Sequence, residues 1–161
     1  MGMDVFGDKP KSSKGDYFRN NVWWWRPLWQ YCASSAPELI DKDVYSEGCH
    51  NSGAGLKTQE ECDALAEALE MLADGMEEDG VTEFGFAFGY WNYRDGSIIV
   101  SEKDTEALNN KYPYGKMLTD MPVKLATGDK TKDVWPAHVT QVEHFREFIK
   151  FLRHCGGFEI W

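Results

Sequence analysis

The run Asn20-Asn21-Val22-Trp23-Trp24-Trp25-Arg26 sets three indoles between two carboxamides and a guanidinium. Indole faces stack on planar rings, a guanidinium can lie over such a ring, and carboxamides pair with polar edges. These residue types together suit a pocket for a nucleotide-like planar ligand. Core packing is the competing reading. In an extended segment alternate side chains point to opposite faces, so three consecutive Trp cannot all be buried. Either Trp24 or the Trp23 and Trp25 pair must then meet a second layer, a ligand or a partner. A second candidate ligand-binding element is the turn Asn51-Ser52-Gly53-Ala54-Gly55-Leu56 ahead of a helix start at Thr58, where backbone N–H groups can face an anion. The turn lacks the Lys-Ser/Thr of a Walker A loop and the third glycine of a dinucleotide fingerprint, and its plain reading is a connection.

A different chemistry is offered by Asp63, Glu67, Glu70 and Asp74, members of a carboxylate series running from Glu60 to Glu77 at steps of three and four. That spacing lines one side of a helix with negative charge. Such a stripe is either a solvated face or a docking surface for a basic partner. Catalysis finds less support. A Cys–His nucleophile needs Cys32, Cys49 or Cys155 beside His50, His138, His144 or His154, and nothing in the spacing selects a pair. Cys49, His50 and Cys62, or His154 and Cys155, are metal-competent. They lack the closely spaced ligand pairs of a structural zinc site, so no metal and no cofactor is expected. Cys32, Cys62 and Cys155 read as buried thiols.

These groups sit in a chain of 161 residues, 42% hydrophobic and 14% aromatic, with a net charge of −10. The length suits a single domain over residues 1–161 with a sizeable core. The negative charge argues against binding a nucleic-acid backbone, which needs clustered Lys and Arg. No stretch reaches the length of a membrane span and the first residues do not form a signal peptide, so a cytoplasmic protein with reduced cysteines is expected.

The elements that must position these groups follow from periodicity. The apolar islands Val5-Phe6 and Tyr17-Phe18 in an otherwise polar opening stretch predict a short strand and a loop feeding the core. Pro27 forbids one uninterrupted helix through the Trp block, so a helix is expected from about Arg26 to Ala36, with Leu28, Trp29 and Cys32 on one face. Residues 41–57 read as loop. Thr58-Gln59-Glu60-Glu61 is a capping box, followed by apolar positions at 62, 65, 66, 69, 72, 73 and 76, the clearest helix in the chain. Asp95-Gly96 between aromatic and β-branched runs predicts a hairpin near 90–100. Residues 101–110 suggest a short helix. Thr140-Gln141-Val142-Glu143 is a second capping box, opening a helix whose Val142, Phe145, Phe148, Ile149 and Leu152 share a face and which Gly156 or Gly157 should end. Phe158 to Trp161 completes the chain as a strand. The fold class is α+β, with two or three main helices packed on a small antiparallel sheet.

The opening Met1-Gly2-Met3-Asp4-Val5-Phe6-Gly7, the block Tyr17 to Trp29, the Asn51-x-Gly-x-Gly-Leu56 turn and the ending Phe145-Arg146-Glu147-Phe148-x-x-Phe151-Leu152…Gly156-Gly157-Phe158 resemble an uncharacterised family of small bacterial and phage proteins. Some members carry a Cys-x-x-Cys zinc-ribbon insertion that this chain lacks, so no zinc role transfers, and the family supplies no activity. The resemblance implies a phage or mobile-element setting. The acidic stripe, the surplus Trp and the absence of a catalytic motif make the leading expectation a non-enzymatic accessory protein that binds a host protein with a basic surface, such as a nucleic-acid-handling or defence enzyme, through the acidic helix and exposed aromatics. Inhibition of that host protein is one form the binding could take. The alternative is a protein that binds or sequesters a small nucleotide-like ligand, or an enzyme acting on one, built from the Trp block and the Gly53–Gly55 turn.

Overall fold

Alternation along the first two strands fixes which side chains face inward. In β1 (Gly2–Gly7) Met3 and Val5 are buried, and in β2 (Tyr17–Asn21) Phe18 and Asn20 are. The two pair antiparallel, Met3 opposite Asn20 and Asp4 opposite Arg19, across a 3-10 turn at Ser13–Gly15. The computed structural model describes residues 2–93, 100–124 and 133–161. Its chain forms two compact units, residues 1–82 with 141–161 and residues 83–140, each built of helices and antiparallel strands in the α+β manner.

In the first unit β2 runs directly into helix α1 (Val22–Ser35), because the Asn21 carboxamide accepts the Trp24 N–H at 2.9 Å and caps the helix there. The expected start near Arg26 is therefore too late. Pro27 lies inside α1, where it forgoes a single hydrogen bond to the Trp23 carbonyl, and the cap and the packing of the buried face hold the turn closed. Leu28, Trp29 and Cys32 are buried together as expected. Residues 42–48, read as loop, form helix α2 (Lys42–Gly48), whose N-terminal amides bond the Asp41 carboxylate. The turn-forming residue types here act as a cap rather than a coil.

Helix α3 (Gln59–Glu78) begins at its predicted cap, with Thr58 Oγ1 accepting the Glu61 N–H at 3.1 Å. Its buried stripe is Cys62, Leu65, Ala66, Leu69, Ala73 and Met76; Leu72, expected there, is exposed beside Met71. Helix α5 (Val142–Leu152) packs on α3 and buries all five predicted apolar positions. Its cap falls on Gln141, without a side-chain bond, instead of Thr140. Thr140 is still extended and buried at that point, so its hydroxyl cannot turn back over a helix end. Gly156 and Gly157 then hold positive φ of 67° and 98° and turn the chain into β7 (Phe158–Ile160), which pairs antiparallel with β1. The sheet order is β2-β1-β7.

In the second unit β3 (Glu83–Tyr93), β4 (Met117–Leu118), β5 (Val123–Lys124) and β6 (Asp133–Gln141) form a sheet of order β4-β3-β6-β5, with helix α4 (Glu102–Lys111) against β3. Two sheets thus replace the single one expected. The predicted Asp95-Gly96 turn lies outside the described residues; α4 forms where a short helix was expected. Ala87, Trp91, Val100, Leu108, Leu118, Val123 and Val134 make the core of this unit. The sequence reading missed β6 because it contains Pro136, a residue ill suited to an interior strand. Gly85 on β3 accommodates it: a Cβ there would stand 2.8 Å from the Pro136 Cγ and 2.6 Å from the His138 carbonyl oxygen.

Candidate functional site

The consecutive indoles of the Trp block separate because they lie on a helix, where each residue turns about 100° from the last. Trp25 goes fully inside, stacked on Trp29 with ring centroids 5.5 Å apart, its Nε1–H donating to the Gly48 carbonyl at 2.8 Å. Trp23 is 53% exposed, and Arg26 is also at the surface. Trp24, 39% exposed, leans over the end of β2 and meets the edge of His144 at 5.4 Å.

That contact forms one wall of an open cleft of about 420 Å³ lined by Gly2, Arg19, Asn20, Asn21, Trp24 and His144. Three elements supply it. Strand β2 gives Arg19, Asn20 and Asn21, α1 gives Trp24 one turn from its cap, and α5 gives His144 in its first turn. Asn20 forms the floor. Its side chain follows Phe18 on the inward face of β2, is 3% exposed, and neither Oδ1 nor Nδ2 finds a hydrogen-bond partner among the described residues. The His144 Nε2 is likewise buried without one. Burial holds the His144 imidazole below its usual value of 6.5, with Glu147 opposing, so the ring is neutral at pH 7. Among the described residues the one cation on the cleft wall is Arg19, largely exposed and paired with Asp4 at 3.7 Å. Among the described residues the wall carries no thiol, hydroxyl or carboxylate side chain. It can hold a flat ligand by stacking on Trp24, and the covered Asn20 amide and His144 Nε2 can bond one that parts the side chains over them; among the described residues it offers no nucleophile.

Of the nine predicted ligand residues the structure thus gathers Asn20, Asn21 and Trp24. Trp23, Trp25 and Arg26 point elsewhere. Asn51, Gly53 and Gly55 belong to a segment that runs along β7, where the Gly53 N–H donates to the Ile160 carbonyl and the Ala54 and Leu56 carbonyls accept from Ile160 and Phe158, each at 2.8 Å. Both glycines are required by closeness: at Gly53 (φ +83°) a Cβ would press on the Trp161 ring at 2.8 Å, and at Gly55 it would collide with the Phe158 carbonyl. Sequence reasoning missed Arg19, Gly2 and His144. The alternation of Tyr17–Asn21 carried the signal for Arg19. His144 is four residues before Phe148, at the margin of the α5 core stripe, and only the tertiary contact sets it beside Trp24.

The predicted partner-binding carboxylates occupy the far face of α3. Asp63, Glu67 and Glu70, with Glu60, Ala64, Arg153 and His154, line an open groove of about 750 Å³. The stripe is partly neutralised within the chain: Glu70 pairs with Arg153, Asp74 and Glu77 share Arg146 at 2.6 and 2.9 Å, and Asp63 accepts from Gln59 at 2.8 Å. The Arg146 pKa is raised by these bonds.

Cys32, Cys62 and Cys155 lie inside, and Cys49 is half-buried. Burial pushes the Cys32 thiol well above its usual value, and Cys62 and Cys155 bond each other, raising the first and lowering the second. Among the described residues no group of three His, Cys, Asp or Glu side chains could hold a metal ion, and no helix is long and apolar enough to cross a membrane. The fold and cleft define an α+β protein with a polar, stacking-competent pocket. Comparison with protein-family models, curated proteins and solved structures yields no match.

Proposed function

We propose that this protein binds or sequesters a small, planar, nucleotide-like ligand in the β2–α1–α5 cleft. The observation that carries this reading is Asn20. A buried carboxamide with no partner costs about 1–3 kcal/mol, and a ligand that supplies the missing bonds recovers that cost. A wall without nucleophile or carboxylate among the described residues supports binding over turnover. The test is native mass spectrometry of protein purified from bacterial cells, beside a denatured sample, followed by fluorescence titration with nucleotides. A retained small mass and a saturable quench that Trp24→Ala removes are the expected results; a bare chain indifferent to every nucleotide would sink the reading.

A second reading is a cytoplasmic, phage-type accessory protein that docks on a basic host-protein surface through Asp63, Glu67, Glu70 and Asp74. It is favoured by the exposed Met71 and Leu72 beside those carboxylates, which add apolar area to the charged face. Because Glu70 and Asp74 hold arginines of the same chain, the informative variant reverses Asp63 and Glu67 alone. Loss of a captured partner in Asp63→Lys with Glu67→Lys is expected here, and undiminished capture would count against it.

A further inference from the structure

Resting on the cleft reading above, we infer that the ligand is an uncharged nucleobase or nucleoside, its base edge paired with Asn20 and its face against Trp24, and that a phosphate adds nothing to its binding. A carboxamide presents one donor and one acceptor side by side, and turned over it presents them in the opposite order. It therefore matches any base edge that sets an N–H beside a ring nitrogen or carbonyl, the pairing by which Asn reads adenine. The Asn20 amide is unspent for such an edge: its backbone lies in the β1–β2 ladder opposite Met3, no group of the described residues competes for it, and a base reaches its covered atoms by parting the side chains at the cleft wall.

The cleft refuses anions for three separate reasons. At the α1 N-terminus, which would otherwise attract a phosphate, the Trp24 N–H is already taken by the Asn21 carboxamide. Arg19 is engaged by Asp4 and its side chain is 68% exposed, so its charge is both compensated and screened. His144 is neutral near pH 7 and brings no second cation. The chain charge of −10 repels an anion further. A cleft of about 420 Å³ lies within the usual range for small-molecule sites and needs no phosphate to fill it.

The experiment is calorimetric titration of the intact chain with adenosine, guanosine, cytidine and uridine and with their 5′-monophosphates, at low and high salt. At least one nucleoside should bind no more weakly than its monophosphate, with little salt dependence and no loss in Arg19→Gln. Asn20→Leu should weaken it about 10–100-fold, the worth of a bidentate pair, and Trp24→Ala about tenfold or more. Since Asn20→Leu removes an unsatisfied polar group, its melting temperature will not fall, which separates lost binding from lost folding. A monophosphate that binds at least tenfold more tightly than its nucleoside and depends on Arg19 overturns the inference while leaving the cleft reading in place. Retention of an unrelated small molecule that Asn20→Leu releases does the same. No retained mass and no response to any titrant overturns both.

Discussion

The cleft at Asn20 and the acidic face of α3 belong to the same unit, and both are lined mainly by polar side chains, yet they spend their hydrogen bonds in opposite ways. On α3 the crowded carboxylates are answered from within: Arg146 takes Asp74 and Glu77, Arg153 takes Glu70, and Gln59 takes Asp63. In the cleft the floor amide and the His144 Nε2 are buried and unanswered by the described residues. A long series of charges is conspicuous in a sequence, but it is solvated, partly paired and cheap to maintain. One inward-facing Asn on a short strand is inconspicuous, and it carries the larger energetic anomaly. Where desolvated polar groups lack partners, rather than where charges are most numerous, is where a binding function leaves its mark.

The widest separation between the two regions should come from Asn20→Leu. Removing the unpartnered amide should stabilise the chain by about 1–3 kcal/mol, roughly 2–12 °C in melting temperature for a chain of this length, while nucleoside binding weakens about 10–100-fold. Chemical denaturation reads this directly, and a variant destabilised by a similar amount would mean that the amide is satisfied. On α3 the opposite sign is expected. Glu70→Lys with Asp74→Lys removes two partly exposed ion pairs and sets like charges beside Arg153 and Arg146, costing about 1–2 kcal/mol, an effect that should shrink in salt. Nucleoside affinity should be unchanged, and a parallel loss of affinity would tie the two regions together.

A smaller effect comes from pH. The folded-state pKa of His144 lies below 6.5, so the unfolded chain takes up the proton more readily. The stability this group contributes is complete above about pH 6.5 and is lost as pH falls from there toward the folded-state value, by no more than about 1.4 kcal/mol per pH unit. Comparing wild type with His144→Gln in denaturant melts from pH 7 to about pH 5 should show the variant lacking that decline. Identical pH profiles would place the imidazole in solvent. Least of all, Asp63→Asn with Glu67→Gln should move stability by within about 0.5 kcal/mol, as substitutions on a solvated face do. A loss of several kcal/mol would mean that this end of the stripe is structural.

Much of the frame was legible before any coordinates. The 3.6-residue spacing from Cys62 to Met76 and from Val142 to Leu152 defined two helices, the Thr58 cap placed the start of the first, and alternation and composition marked the terminal strand, because each is a local pattern that burial of one face enforces. Local rules misled where a tertiary contact outweighed them. Pro27 suggests a helix start, but the Asn21 cap and the burial of Trp25 and Trp29 extend the helix back to Val22. Pro136 hid a strand that Gly85 makes room for. The Gly53–Gly55 turn had the composition of an anion loop and is spent lying along β7.

For the candidate site, the sequence by itself determined the ingredients: indoles next to carboxamides, a strong negative charge, and no catalytic signature. It also required that consecutive Trp residues diverge, since no regular backbone turns three neighbours to one side. Which Trp faces solvent, and that Asn20 meets Trp24 and His144 around one cleft, only the tertiary structure decided. Residues 20 and 144 are joined by no local period. Their meeting depends on α5 packing against the first sheet so that His144 comes to lie between Phe18 and Trp24, and that packing belongs to the whole core rather than to either segment.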